Sequence, residues 1–243
     1  MVEPESEPKA PFILRLGGSA ISHSNKRIDF DFLREFRDLL QEQVLLGRRF
    51  AVITGGGQNY RELRDLMREK GGVESEEDLH WLGAAVNTVN AYMVRSFLGD
   101  ELAESRVWKF DDVDRLAQLQ YEKPIVVAGG FLAGRSSDWC ALQVAKAVGA
   151  TKVFDLKNID GVYEEDPKQN QNAKYFPHLS WTKYLKIIGD PEGHEPGGHF
   201  PVDPVAAKES DSLGVSYYVL KANDFANLEQ AFNGEKFRGT IIS

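Results

Sequence analysis

One cysteine, Cys140, stands in the 243 residues. A lone thiol makes no intrachain disulfide, and this one lies in a segment patterned as a buried helix, which fits a reducing cytoplasm. Long apolar runs are missing as well. No stretch approaches the roughly 20 residues that cross a bilayer, and the N-terminus lacks the hydrophobic centre of a signal peptide, so no membrane is expected. Basic charge is scarce: 29 Lys and Arg face 37 Asp and Glu, for a net charge of −8. A nucleic-acid binder normally shows a basic face, so that partner class is excluded too. A nucleotide is not excluded, since a few placed arginines and backbone N–H groups bind phosphate locally. There are no internal repeats or low-complexity runs, and Met1–Pro11 is expected to be a solvated tail outside the fold.

What remains is ordinary core material punctuated by glycine. Hydrophobic residues make up 42% and charged residues 27%, as in soluble globular proteins, and the length suits one large α/β domain or two intimate lobes. The stretch 125–167 organises the rest. Ile125–Ala128 suits a buried strand, Gly129-Gly130 a tight turn, and Ser136-Ser137-Asp138 the cap of a helix running to about Val148. Lys152–Leu156 makes the next strand. A strand–helix–strand of this length is a right-handed parallel crossover, with ligands expected beyond the carboxyl ends of the strands. Gly129, Ser137, Asp138 and Asp160 would lie near that edge.

The other segments follow the same logic. Phe12–Leu16 is a strand ending in Gly17-Gly18-Ser19, which is either a plain strand-to-helix loop or a set of N–H groups for an anion. Asp31–Leu46 is an amphipathic helix, and Phe50–Thr54 a second strand ending in Gly55-Gly56-Gly57. A bare turn would satisfy those glycines. Arg61, one turn into the next helix, favours a phosphate at the helix start. A long helix covers about Leu79–Leu98, with Asn90 on its apolar stripe as either a satisfied core amide or a site residue. Arg106–Phe110 is expected to be a short strand, followed by a helix capped by Asp111. Asp138 is either a helix cap or a nucleotide-facing carboxylate, and Trp139 is core or a subunit contact. Asp160-Gly161 suits a type I′ hairpin, although Glu164-Glu165-Asp166-Pro167 makes a bare turn less convincing. His194 and His199, in a glycine- and proline-rich loop, are expected to sit in a solvated lid and to bind no metal. Asp203 caps a later helix, with Pro204 at its first position.

The segments VVAGGF, SSDWCALQVAKAVGA and NIDGVYEEDPK, with GGG…R upstream, resemble the amino-acid kinase superfamily, most closely its archaeal-type uridylate (UMP) kinases. The resemblance covers about Phe12 to Ser243. It implies a three-layer α/β/α sandwich around a mainly parallel sheet, with the acceptor held by the part up to about Val148 and ATP by the rest. It implies transfer of the ATP γ-phosphate to UMP, Mg²⁺ travelling with ATP, and a homo-oligomer, specifically a hexamer. Arg15 stands where the family has a lysine that stabilises the transferring phosphate, beside Gly17, Gly18 and Ser19, and Asp203 would orient it. Gly56, Gly57 and Arg61 match the acceptor-phosphate element. His80 replaces an aspartate that accepts from the ribose, while Gly129, Ser137 and Asp138 complete the acceptor side. Asn158, Asp160, Tyr163 and Asp166 belong to the ATP side. Two other readings stay open: a kinase for another small phosphate or carboxylate, and a non-catalytic nucleotide-binding or storage protein of the same fold.

Overall fold

The computed structural model describes residues 10–243 apart from 23–27, 110, 111, 119, 131, 166, 168 and 190–199. Asp111 as a cap, Asp166, and the lid histidines His194 and His199 therefore lie outside the described residues.

A seven-stranded sheet forms the middle layer. Its order is β3 (Ile125–Ala128), β2 (Phe50–Thr54), β1 (Phe12–Leu16), β4 (Lys152–Lys157), β8 (Ser216–Lys221), β9 (Thr240–Ile242), β7 (His178–Leu179). The five strands from β3 to β8 run parallel, β9 is antiparallel to β8, and β7 is parallel to β9. The strands are mostly apolar on both faces, as a sheet covered on both sides requires. Along β1 and β4 successive side chains alternate between two cores. Ile13 and Val153 pack under α6 (Ser137–Val148), α7 (Trp181–Ile187) and α8 (Pro204–Leu213). Leu14, Leu16, Phe154 and Leu156 pack under α2 (Phe30–Leu45), α4 (Glu76–Leu102) and α9 (Phe225–Asn233). This is the expected α/β/α sandwich.

The chain moves outward from β1 through β2 to β3, then returns to the other side of β1 as β4. The strand order thus reverses between β1 and β4, and a crevice opens beyond their carboxyl ends. Helix ends follow the side-chain chemistry: Ser136 accepts from the Trp139 N–H, Asp203 from those of Val205 and Ala206, and Gly149 closes α6 at φ 68°.

Two expectations are corrected. Segment 106–109 is not a strand: Trp108 makes an isolated bridge to Ala128, and the next N–H, of Lys109, turns to the Asp112 carboxylate, which ends the ladder. Asp112 precedes the short α5 (Val113–Ala117). Asp160-Gly161 is not a two-residue hairpin either. β5 (Val162–Tyr163) pairs antiparallel with the later β6 (Tyr175–Phe176), and Gly161 takes φ 148°, outside a type I′ turn.

Candidate active site

Alternation along the strands assembles the centre of the site. On β1 Arg15 follows Ile13 on the α6 face, and on β4 Asp155 and Lys157 follow Val153 on that same face. Register makes Arg15 and Asp155 direct partners. α6 adds Asp138 from its first turn. Arg15 Nε lies 2.8 Å from Asp138 Oδ1, and its Nη1 lies 3.4 Å from Asp155 Oδ1. Its Nε and Nη2 donate to the Ser137 hydroxyl at 3.1 and 2.9 Å. Lys157 Nζ completes the group, 3.4 Å from Asp138 Oδ1 and 3.2 Å from Asp155 Oδ2.

Two cations and two carboxylates thus share one nearly buried space, which is tolerable because each charge has an opposite neighbour. Burial opposes ionisation of Asp138, but Arg15, Lys157 and the Asp203 N–H hold its pKa below the usual carboxylate range. Asp155 differs. Burial outweighs its cations and pushes it up to about 6. Burial also disfavours charge on Arg15, yet Asp138 and Asp155 more than offset this and raise its pKa.

The glycine loops form the next wall of an open cleft with a cavity volume of about 130 Å³, whose lining includes Arg15, Gly56, Gly57, Arg61, His80, Ser137, Asp138, Lys157 and Asp203. Gly57 opens α3 (Gly57–Glu69) with φ 60°, and a side chain on Gly18 would collide with the backbone of Gly55 and Gly57. Here the loops after β1 and β2 need glycine to pack together. Asn90, on α4, donates to the carbonyls of Gly55 and Gly56 at 2.7 and 3.2 Å. Of its two readings, the satisfied buried amide is correct, and its work is to hold this loop. Arg61 is half-buried and donates to the Ser19 hydroxyl at 3.1 Å and to Gln58. Neither partner is charged, and among the described residues no carboxylate is within ion-pair distance of Arg61, which lines the cleft.

Some expected positions lie elsewhere. Arg15 takes Asp138 and Asp155 as its carboxylate partners where Asp203 was expected. Asp203 caps α8 and acts at one remove, its N–H donating to Asp138 Oδ2 at 2.9 Å. Asp138 is not the cap, since Ser136 fills that place. Gly129 does not line the cleft: a side chain there would strike Thr88, so it serves the close packing of the turn on α4. Asp160 turns to Arg238 Nη2 at 2.6 Å and accepts from the Tyr163 hydroxyl at 3.0 Å. Asn158 is exposed at the end of β4. Trp139 is buried and donates to Glu209, so it is core and no exposed contact.

A family model described as "Amino acid kinase family" matches residues 11–221, across all of this cleft. The chain belongs to the amino acid kinase family. Within it, a uridylate kinase of Pyrobaculum calidifontis is 36% identical over 192 residues, covering 78% of this chain and 84% of the relative. A uridylate kinase of Hyperthermus butylicus is 27% identical over 240 residues, 97% of this chain and 99% of the relative. The crystal structure of uridylate kinase from Archaeoglobus fulgidus superposes with a TM-score of 0.77 at 29% identity, covering 96% of this chain and all of that one.

Reading the family's motifs along the chain missed Asp155, Lys157 and Arg135. The first two carried a signal: charged residues two apart in an otherwise apolar strand must share a face, and a buried face demands partners for them. Arg135 lines the cleft from an irregular loop, where no periodicity marks it.

Proposed function

We propose that the chain is a UMP kinase, transferring the γ-phosphoryl group of ATP to UMP to give UDP and ADP in pyrimidine nucleotide biosynthesis. The observation that carries this reading is the pairing of Arg15 with Arg61 across one cleft, between two glycine loops, at the strand-order reversal. The acceptor oxygen is already an anionic phosphate, so no general base is needed, and positioning with charge neutralisation supplies the catalysis. Arg61 anchors the acceptor phosphate. Arg15, held rigidly by Ser137 and Asp138, meets the moving phosphoryl group together with the N–H groups around Gly17 and Gly18. The part up to about Val148 takes the acceptor, and the rest takes ATP. ATP enters as its magnesium complex, the ion held chiefly by phosphate and water. No group of three or more acidic, histidine or cysteine side chains able to cage a metal occurs among the described residues.

The relatives' names favour this reading over a kinase for another acceptor or a storage protein. We also place the protein in the cytoplasm as a homo-oligomer. No described helix is long and apolar enough to cross a membrane, and Cys140 is a buried cysteine outside any disulfide. Trp81, Val89 and Tyr92, each at least half exposed, share one face of α4, and apolar faces of this kind mark protein interfaces. An ADP-release assay with ATP-Mg and a panel of nucleoside monophosphates tests the function. UMP should turn over fastest, and no turnover with UMP would sink the reading.

A further inference from the structure

We propose that Lys157 is a phosphate-binding cation parked on Asp155, that it leaves Asp155 for the incoming phosphate, and that Asp155 then takes up a proton from solvent. The inference deepens the phosphoryl-transfer reading and rests on it for the identity of the ligand.

The four charged groups are not equally committed. Arg15 is fixed by two bonds to the Ser137 hydroxyl and by Asp138 at 2.8 Å. Asp138 keeps Arg15 and the Asp203 N–H even without Lys157. Lys157 is held more loosely: its ammonium donates to Asp138 Oδ1 at 3.4 Å and stands 3.2 Å from Asp155 Oδ2, on a flexible stem that lines the cleft. A compact ammonium on such a stem re-aims far more readily than a forked guanidinium. Asp155 depends on it. The carboxylate is fully buried, its Oδ2 has no well-aligned hydrogen-bond donor among the described residues, and the Lys157 charge is what faces that oxygen.

These four groups sum to zero charge, with Arg15 and Lys157 balancing Asp138 and Asp155. A bound phosphate draws Lys157 toward the cleft and strips Oδ2 of its cation. What remains around Asp155 is Arg15 on β1 at 3.4 Å, the Asp138 carboxylate on α6, Asp203 at the head of α8, and the phenols of Tyr217 on β8 and Tyr184 on α7. Both phenols stay neutral, since burial holds their pKa well above the ordinary value. Among the described residues, no cation other than Arg15 and Lys157 stands within ion-pair distance of Asp155. Even with Lys157 in place Asp155 titrates at about 6, and losing the cation raises it further. Near pH 7.5 the carboxylate is therefore ionised in the free protein and becomes a carboxylic acid in the complex. One solvent proton is bound, and Lys157 keeps its own.

Calorimetric titration at pH 7.5, in buffers of different ionisation enthalpy, counts the protons. The ligands are UMP and, separately, the magnesium complex of a non-hydrolysable ATP analogue. With the ligand whose phosphate Lys157 meets, the wild type should take up close to one proton more than Asp155→Asn. Lys157→Met should also lack this uptake, because Asp155 is already protonated there, and should bind that ligand about 10–100-fold more weakly. A purely structural role for either residue would leave the proton count unchanged. An infrared difference spectrum of the wild type, free against bound, should gain the carbonyl stretch of a protonated carboxyl group, a readout that does not depend on either variant folding. Equal proton counts in wild type and Asp155→Asn for both ligands, or no new carboxyl band, overturns the proposal. Failure of UMP to bind, with proton uptake on the ATP analogue, sinks the acceptor reading and leaves this inference standing. Binding of neither ligand overturns both.

Discussion

Arg15 and Asp155 are register partners on adjacent parallel strands, with the guanidinium Nη1 3.4 Å from the carboxylate Oδ1. A charged pair in the middle of a sheet must be tied down on every side, and Ser137, Asp138 and Lys157 do this. The family's lysine position is thus held by an arginine with two carboxylates of its own.

Arg15→Ala should lower kcat by about 10²–10³-fold, the scale of removing one preorganised donor to charge developing in the transition state. It should also destabilise the fold by roughly 3–5 kcal/mol, because two buried carboxylates would then share Lys157 alone. Arg15→Lys should keep much of the rate, although it loses the paired bonds to Ser137. Steady-state kinetics at saturating ATP-Mg and UMP, below each variant's melting temperature, checks this. An Arg15→Ala enzyme as fast as wild type would refute the role.

Arg61 donates to two neutral groups, Ser19 and Gln58, and lines the cleft at the start of α3, in place to meet a phosphate. Arg61→Ala should raise KM for UMP by about 10–100-fold, the loss of a charge-assisted contact of roughly 1.5–3 kcal/mol, and leave KM for ATP near wild type. Equal effects on the two substrates would remove Arg61 from the acceptor side.

Asp160 pairs with Arg238 at the surface, where such a pair contributes less than about 1 kcal/mol to stability. Asp160→Asn should therefore melt close to wild type, yet bind the magnesium complex of a non-hydrolysable ATP analogue more weakly while UMP binding holds. Calorimetry decides, and unchanged affinity for the analogue would make the Asp160–Arg238 pair a surface tie alone.

The local elements of this protein were legible along the chain because each depends on its own residues. Strand runs such as Phe50–Thr54, the caps Ser136 and Asp203, and Gly149 at a left-handed helix end are short-range chemistry. The sandwich and the cleft at the carboxyl edge followed from strand–helix–strand order and from motifs shared with the family. Contacts between segments far apart in sequence belonged to the tertiary structure. Phe12–Leu16 and Lys152–Lys157 become neighbours only when the strand order reverses between them, so the meeting of Arg15 with Asp155 and Lys157 has no local trace. The Asp203 carboxylate shows the reverse. Its cap was readable, but the carboxylates within ion-pair distance of Arg15 are Asp138 on α6 and Asp155 on β4, while Asp203 caps α8. Pairing of buried charges is settled by which groups the packed elements bring within about 3 Å, and that distance is fixed by the fold as a whole.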